Sequence, residues 1–488
     1  QGACAGPSNG MPQTPVERPS RHLGPHRPTA SDSLMMTSIR QKARLGIRDL
    51  KERILFDFAP ARAVLAFGSL AVGMAALLAG RQRQGAEILA RTHRAGLNKT
   101  VDRIVERSFR SALHQGPGRI AAALRNALLT YPASVEPTPP TAQFHEFPER
   151  LLGGCMIVLK SPTENERGVL YLYYSYVYPL FLKYFDVESI LSKYRIVIEP
   201  SWSGHCDLNI LCLHRLGQQI FVGALEPRDA TFLRSMQSSF SPVHFGGNTW
   251  VDTDVFKPLP DTIKDIDIVC ISSWAWYKRH WAIFRALRKL RKRGIDLKTA
   301  LIGYKIDMNM EDIRAQARLF GVEDLIQMHE RLTASEVNGM LNRSKVNLLW
   351  SRREGTPRAI IEGMAAGIPC IIRTGFNYGY HYPHINEKTG AFSTENELPA
   401  VLLRVIRDHA SYAPRERAVA EMTPEASTAR LNAAIKAAAL EAGEVWTRDL
   451  AVKVSTLDQL DYKNPADHMR FEGDYRFLES KITGRARA

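Results

Sequence analysis

Glu354 and Glu362 stand eight residues apart in Ser351 to Ile372, SRREGTPRAIIEGMAAGIPCII. Residues eight apart on one helix lie roughly 80° apart around its axis. With Glu354 in a turn that precedes the helix, both carboxylates can face a single cleft. The flanking residues supply that turn and helix. Lys345 to Trp350, KVNLLW, is a compact apolar run of the kind that forms a buried parallel strand. Arg352 to Gly355 reads as a turn, Pro357 suits the first helical position, and Gly367 with Pro369 ends the helix. A second strand, Cys370 to Ile372, follows at once. In open α/β sheets ligands bind outside the carboxyl ends of the strands, and exposed N–H groups at a helix start there can hold a phosphate.

The whole string, Glu-Gly-x-Pro-x4-Glu-Gly-Met-Ala-x-Gly-x-Pro, resembles the signature of the retaining, nucleotide-sugar-dependent glycosyltransferases of the group 1 family, which have the GT-B fold. The resemblance implies that Glu354 contacts the donor sugar and Glu362 the nucleotide ribose. It extends from about Ile196 to Gly443 and is strongest between Asn248 and Ile372. It implies that Lys278 binds the donor diphosphate, a task suited to a long cation. Ser272 stands six residues earlier, where many members carry an arginine, and Arg279 is the residue placed to compensate. Gln327 to Glu330, Met328 among them, match the loop that meets the nucleotide base. Gly355, Thr356 and Pro357 match the backbone beside sugar and phosphate. Gly168 is the one glycine available to line the cleft after the first strand. His205, in SWSGHCD, follows a strand end and is a candidate to face the acceptor, as are Glu199 and Asp207. The front-face mechanism of such enzymes lets the leaving diphosphate help deprotonate the acceptor, with cations stabilising the phosphate charge. No cofactor or metal is expected. Asp265-Ile-Asp267 and Asp252-Thr-Asp254 have the letters of a manganese-binding pair, but one opens a strand and the other lies in an interdomain link.

A chain of 488 residues, 45% apolar, has room for several domains. Its net charge of +15 is uneven: residues 1–150 hold 21 Lys/Arg against 11 Asp/Glu. A basic amino-terminal region suits an anionic membrane surface; no zinc-finger spacing or RNA-binding aromatic motif points to nucleic acid. The six cysteines form no C-x2-C pair and read as reduced thiols in a cytosolic compartment.

Residues 1–34, rich in Pro, Gly, Ser, Arg and His, read as disordered. Residues 35–131 form a basic helical region around Ala63 to Gly80, eighteen residues without a charge. A spanning helix needs about 20 apolar residues, so a membrane anchor and a buried helix both remain open. Residues 132–150, with five prolines, read as a linker. The predicted architecture is α/β: residues 151–250 form an acceptor domain and 251–412 a nucleotide-sugar donor domain. Both are Rossmann-like and doubly wound. In the first, the tyrosine-rich stretch from Tyr171 to Phe181 reads as a helix. Residues 413–444 form a closing helix, and the tail 445–488 carries no readable motif.

These readings point to a retaining, metal-independent glycosyltransferase that moves a sugar from a nucleotide sugar to a cell-surface polysaccharide or glycolipid. Its expected place is the cytoplasm or the inner face of the plasma membrane. Two alternatives compete: a catalytically impaired, membrane-tethered nucleotide-sugar-binding module, and another GT-B activity such as sugar-nucleotide epimerisation.

Overall fold

The computed structural model describes residues 43–374, 382–455 and 460–483, so the stretch expected to be disordered lies outside the described residues. Residues 43–50 are helical and fall in a unit of their own; Lys51–Ala488 form the other. Within that larger unit lie two α/β halves, each built on its own sheet.

The first sheet contains β1 (Met156–Lys160), β2 (Gly168–Tyr173), β3 (Tyr194–Glu199), β4 (Ile220–Gly223) and β5 (Phe240–Val243), side by side in that order. β1 and β2 form an antiparallel pair, while β2 to β5 run parallel. The stretch expected to be one tyrosine-rich helix divides instead. Gly168–Tyr173 is a fully buried strand, and the helix starts only at Val177. GVLYLY is dense in β-branched and aromatic residues, which pack well on a pleated sheet, and that preference decides the segment.

The second sheet contains β6 (Ile266–Ile271), β7 (Thr299–Gly303), β8 (Ile326–Glu330), β9 (Ser344–Leu349), β10 (Cys370–Arg373) and β11 (Gly390–Ser393). All its pairings are parallel, and its order is β11-β10-β9-β6-β7-β8. The chain starts in the middle at β6, builds outward through β7 and β8, and returns to β9 on the other side. That is the doubly wound order, with its switch point between β6 and β9. The carboxyl ends of the two sheets meet: Ser203 Oγ, after β3, donates to the Gly355 carbonyl, after β9, at 3.3 Å. Two α/β halves facing one cleft are the GT-B arrangement expected, but the first sheet, with its strands in chain order, lacks the switch point of the doubly wound sheet expected there.

Neither the expected linker nor the described part of the carboxy-terminal tail is a free appendage. The proline-rich stretch expected to be a linker is folded into short turns, Pro132–Ser134, Ala142–Glu146 and Pro148–Leu151, with Phe144 and Leu151 buried. The tail covers the open edge of β1. Ala451 N donates to Leu159 O at 2.8 Å, Leu460 N to Gly154 O at 2.9 Å, and Tyr462 Oη to Val158 O at 2.7 Å. An uncovered strand edge presents unpaired backbone groups to other chains, so the tail removes a liability.

Ahead of the first half, helix Ala59–Leu78 lies against helix Gln82–Ala95. Two glycines set their separation. A Cβ on Gly85 would stand 2.7 Å from Leu77 Cγ and 2.8 Å from the Gly73 carbonyl oxygen, and one on Gly73 would strike Leu89 at 2.7 Å. The first helix otherwise shows its apolar residues to solvent; Val64 is 74% and Val72 58% exposed. Gly85→Val should force the helices apart and cost about 1–3 kcal/mol, read as a lower denaturation midpoint at unchanged m-value.

Candidate active site

The switch point between β6 and β9 brings together Lys278 and Glu354. Lys278 ends the short turn Trp276–Lys278 that follows β6, and Glu354 lies in the turn that follows β9. Lys278 Nζ stands 2.5 Å from Glu354 Oε1, with side chains 11% and 6% exposed. Burial works against the ammonium charge, but Glu354 and then Tyr277 more than offset it and hold the Lys278 pKa above the ordinary lysine value. A cation kept charged inside a crevice, and paired to one carboxylate, is a site for an anionic ligand group.

Glu362 occupies the helix Arg358–Ala365, whose N-cap is Pro357. Gly363 brings this helix against β9: a Cβ there would stand 2.4 Å from Asn347 Nδ2, which donates to the Ala359 carbonyl at 2.7 Å. Glu362, next to it, is buried, with Arg358 Nε 3.5 Å away. Burial raises its pKa, and Arg358 only partly counters this. Gly355 is required by close approach, since a Cβ would meet the Ser201 carbonyl oxygen at 2.8 Å and Trp202 Cα at 2.9 Å. Thr356 follows at the same contact between the halves, beside Gly246 and Gly247.

Ser272, at the end of β6, lies 3.0 Å from His280 Nε2. Burial, aided by Lys278, lowers the His280 pKa to about 3. A neutral Ser–His pair therefore stands where a fixed positive charge was the alternative.

Four expected placements are corrected. Arg279 adopts a left-handed backbone (φ 59°) and turns its fully buried guanidinium away from the Lys278–Glu354 pair, to Glu52 and, at 2.9 Å, to Glu395. Gly168 lies at the amino end of β2, opposite the cleft, because the antiparallel β1–β2 pair turns at that end; its Cβ position is 2.5 Å from Lys160 O. Met328 sits inside β8, in register with Leu301, instead of in a loop beyond the strand. His205 is enclosed in the first half: Nε2 is 2.7 Å from the Gly223 carbonyl oxygen, and Nδ1 is 3.4 Å from Asp229 Oδ2. Asp229 also accepts from the backbone N–H of Gly204 and His205. The ring thus holds the loop after β3, which presents Trp202 and Ser203 to the second half.

One cluster was not anticipated. Arg279 and Arg352 follow β6 and β9, Arg373 is the last residue of β10, and Glu52 and Asp57 of the amino-terminal segment meet them. Asp57 takes Arg352 in a two-pronged pair at 2.6 and 3.3 Å, and Arg373 lies 3.8 Å from it. Burial first, then Arg352 and Arg279, lower the Arg373 pKa to about 10. Glu52 and Asp57 are single acids in a basic stretch, so nothing in the sequence singled them out. In the two Asp pairs, Asp265 binds Arg343 at 2.6 Å, Asp267 binds Lys345 at 2.8 Å, and Asp254 binds Lys463 at 3.1 Å.

A cavity between the halves is lined by Ala224, Glu226, His244, Pro383, His384 and Arg417. A larger one, at Pro162–Arg167, lies at the far end of the first sheet and has no part in this chemistry.

Residues 253–418 match the family described as Glycosyl transferases group 1. A stretch of 117 residues is 27% identical to a GDP-mannose:cellobiosyl-diphosphopolyprenol alpha-mannosyltransferase of Komagataeibacter xylinus, covering 24% of this chain and 30% of that protein. The chain thus matches about a third of that relative's length. Among solved structures, sucrose-phosphate synthase from Thermosynechococcus elongatus aligns with TM-score 0.45 and 16% identity over 57% of this chain and 74% of that one. Anabaena HepE in complex with UDP aligns with TM-score 0.44 and 12% identity over 55% and 78%.

Glu362→Gln should stabilise the ligand-free protein at neutral pH, because it removes a carboxylate that burial makes harder to ionise in the fold than in the unfolded chain. The sign follows from the raised native pKa. The penalty is absent below the ordinary glutamate range, grows as pH rises through it, and is complete above the native value. Thermal melts of the two proteins should therefore converge near pH 4 and diverge toward pH 7.

Proposed function

We propose that this chain, whose residues 253–418 match the glycosyl transferases group 1 family, is a retaining, metal-independent glycosyltransferase using a nucleotide-sugar donor. The observation that carries the reading is the Lys278–Glu354 pair at the β6/β9 switch point, with Glu362 buried one helix further on. In this reading Lys278 takes the donor diphosphate, and its charge stabilises the phosphate oxygens as the glycosidic bond to them breaks. Glu354 and the backbone of Gly355 to Pro357 hold the sugar, and Glu362 accepts from the ribose hydroxyls. The sugar passes to a hydroxyl of a glycan or glycolipid, whose proton goes to the leaving diphosphate. The neutral Ser272–His280 pair leaves the phosphate with less fixed charge, and it alone favours a binding-only module. Donor turnover separates the two.

The helix Ala59–Leu78 supports a seat on an anionic membrane, at the inner face of the cell. It is 20 residues long with mean hydropathy 1.8, and 17% of its apolar window is buried. Its partner helix Gln82–Ala95 carries Arg83, Arg91 and Arg94. A charged helix packed along an apolar one suits the plane of the interface better than a crossing of the bilayer.

The first experiment is a thermal-shift screen against nucleotide sugars that include GDP-mannose and UDP- and ADP-hexoses. With the donor found, Lys278→Ala and Glu362→Ala should each weaken its binding by about tenfold or more in calorimetry, and EDTA should leave turnover unchanged. Unaltered affinity in both variants would reject the site. For the membrane, the full chain should sediment with phosphatidylglycerol vesicles and lose that property in a Phe67→Asp, Val72→Asp double variant. Equal sedimentation of the two would reject the seat.

A further inference from the structure

Glu199, the last residue of β3, and Lys453 of the tail are both completely buried. Lys453 Nζ stands 3.5 Å from Glu199 Oε2, and the Tyr171 hydroxyl donates to that same oxygen. Lys453 also sits over the Trp250 ring at 3.7 Å and the Tyr171 ring at 4.7 Å. Burial in this aromatic box lowers its pKa to about 8, against the opposing pull of Glu199. One carboxylate oxygen is thus fully engaged. The other, Oε1, is buried without a hydrogen-bond partner.

That free oxygen faces the meeting point of the two halves. A Cβ added to Gly247 would stand 2.9 Å from Thr356 Oγ1, 3.2 Å from Glu199 Oε1 and 3.8 Å from Tyr173 Oη. Three polar groups, drawn from β2, β3 and the turn after β9, therefore converge on one spot beside Gly247, where even a methyl group would crowd Thr356 and Glu199. Thr356 is two residues from Glu354, so this spot borders the donor crevice. Trp202, three residues past Glu199 and 51% exposed, rests against Gly355 and offers an aromatic face at the rim. An unpaired buried carboxylate oxygen costs the fold free energy unless something donates to it. Hydroxyls are the donors that a glycosyl acceptor brings, and an aromatic face suits the C–H face of a sugar ring.

We propose that Glu199 Oε1 receives the acceptor hydroxyl of a sugar, and that Lys453 of the carboxy-terminal tail is the positioning residue that holds the carboxylate toward it. The proposal rests on the glycosyltransferase reading and adds the acceptor half. In the step it serves, the acceptor oxygen forms the new bond to the donor's anomeric carbon. The bond from that carbon to phosphate breaks with its electrons on the diphosphate, and the hydroxyl proton follows to the diphosphate. Glu199 orients the hydroxyl and keeps no proton.

The test uses the full chain, the donor found by thermal shift, and two acceptors, water and octyl glucoside. Donor affinity is read by calorimetry and turnover by nucleotide release. Glu199→Gln should leave the donor dissociation constant within about twofold and lower turnover by about 10- to 100-fold, the worth of a hydrogen bond to a charged group. Lys453→Met should lower turnover in the wild-type background and cause no further loss in the Glu199→Gln background. That non-additivity marks action through Glu199, whereas a purely structural lysine would cost the same in both. The double variant, with both charges gone, also guards against misfolding of either single one. Unchanged turnover in Glu199→Gln, a parallel loss of donor affinity, or additive losses would overturn the proposal. A wild-type chain that binds donor but turns it over with neither acceptor would overturn it too. A chain that binds no nucleotide sugar would instead overturn the functional reading beneath it.

Discussion

Both sheets bury charge that their own half cannot neutralise, and the two ends of the chain supply the missing partners. On the second sheet, Arg279, Arg352 and Arg373 gather at the carboxyl ends of β6, β9 and β10. Glu395 follows β11 and answers only part of that charge; Glu52 and Asp57 arrive from the amino-terminal segment to answer the rest. On the first sheet, Arg195 on β3 is met by Glu444 at 2.8 Å, Glu199 by Lys453, and the Lys160–Glu166 pair by Thr447 and the Trp446 ring. Breaking one side of a buried pair leaves an uncompensated charge and costs about 3–5 kcal/mol. The terminal segments are therefore as much part of each half as its strands.

The second half was legible because its information is local. The switch point, the turn after β9, the glycine that seats the helix and both glutamates lie within one unbroken βαβ run, where apolar patterning and helix punctuation agree. Lys278 was legible for the same reason, one turn after a strand. Its neighbour Arg279 was not. Both are cations on the same turn, and only the left-handed backbone at Arg279, which aims the two side chains apart, decides which one faces Glu354.

The first half was less legible because its strands break the usual pattern. Lys160, Arg195 and Glu199 are charged residues within strands whose every position is buried. A reader of periodicity sees a polar position and expects a surface. The antiparallel β1–β2 pair reverses the end at which Gly168 lies, so a glycine expected at the cleft sits at the opposite rim. His205 looked catalytic by its place after a strand, yet the Gly223 carbonyl and Asp229 hold it inward. The residue with the unsatisfied oxygen was Glu199, at the strand end itself. Only its closeness to Gly247 and its pair with Lys453, about 50 and 250 positions along the chain, set it apart.

The amino-terminal segment joins these observations. Its short π-helix Arg53–Asp57 carries Asp57 onto the second half. The helices behind it hold the first half, through Arg94 on Asp207 and Tyr131 Oη on Asn209 at 3.1 Å. One continuous stretch thus spans the cleft between the two halves. Between its two attachments runs the apolar helix Ala59–Leu78, whose outward face contributes little to the fold. Single-turn π segments persist only where surrounding contacts hold them, and are frequent at functional positions. Here those contacts are the arginines at the carboxyl ends of the second sheet. The same few residues therefore link three features: the charge balance of the second sheet, the spacing of the two halves, and the apolar helix that packs one face on Gln82–Ala95 and leaves the other exposed.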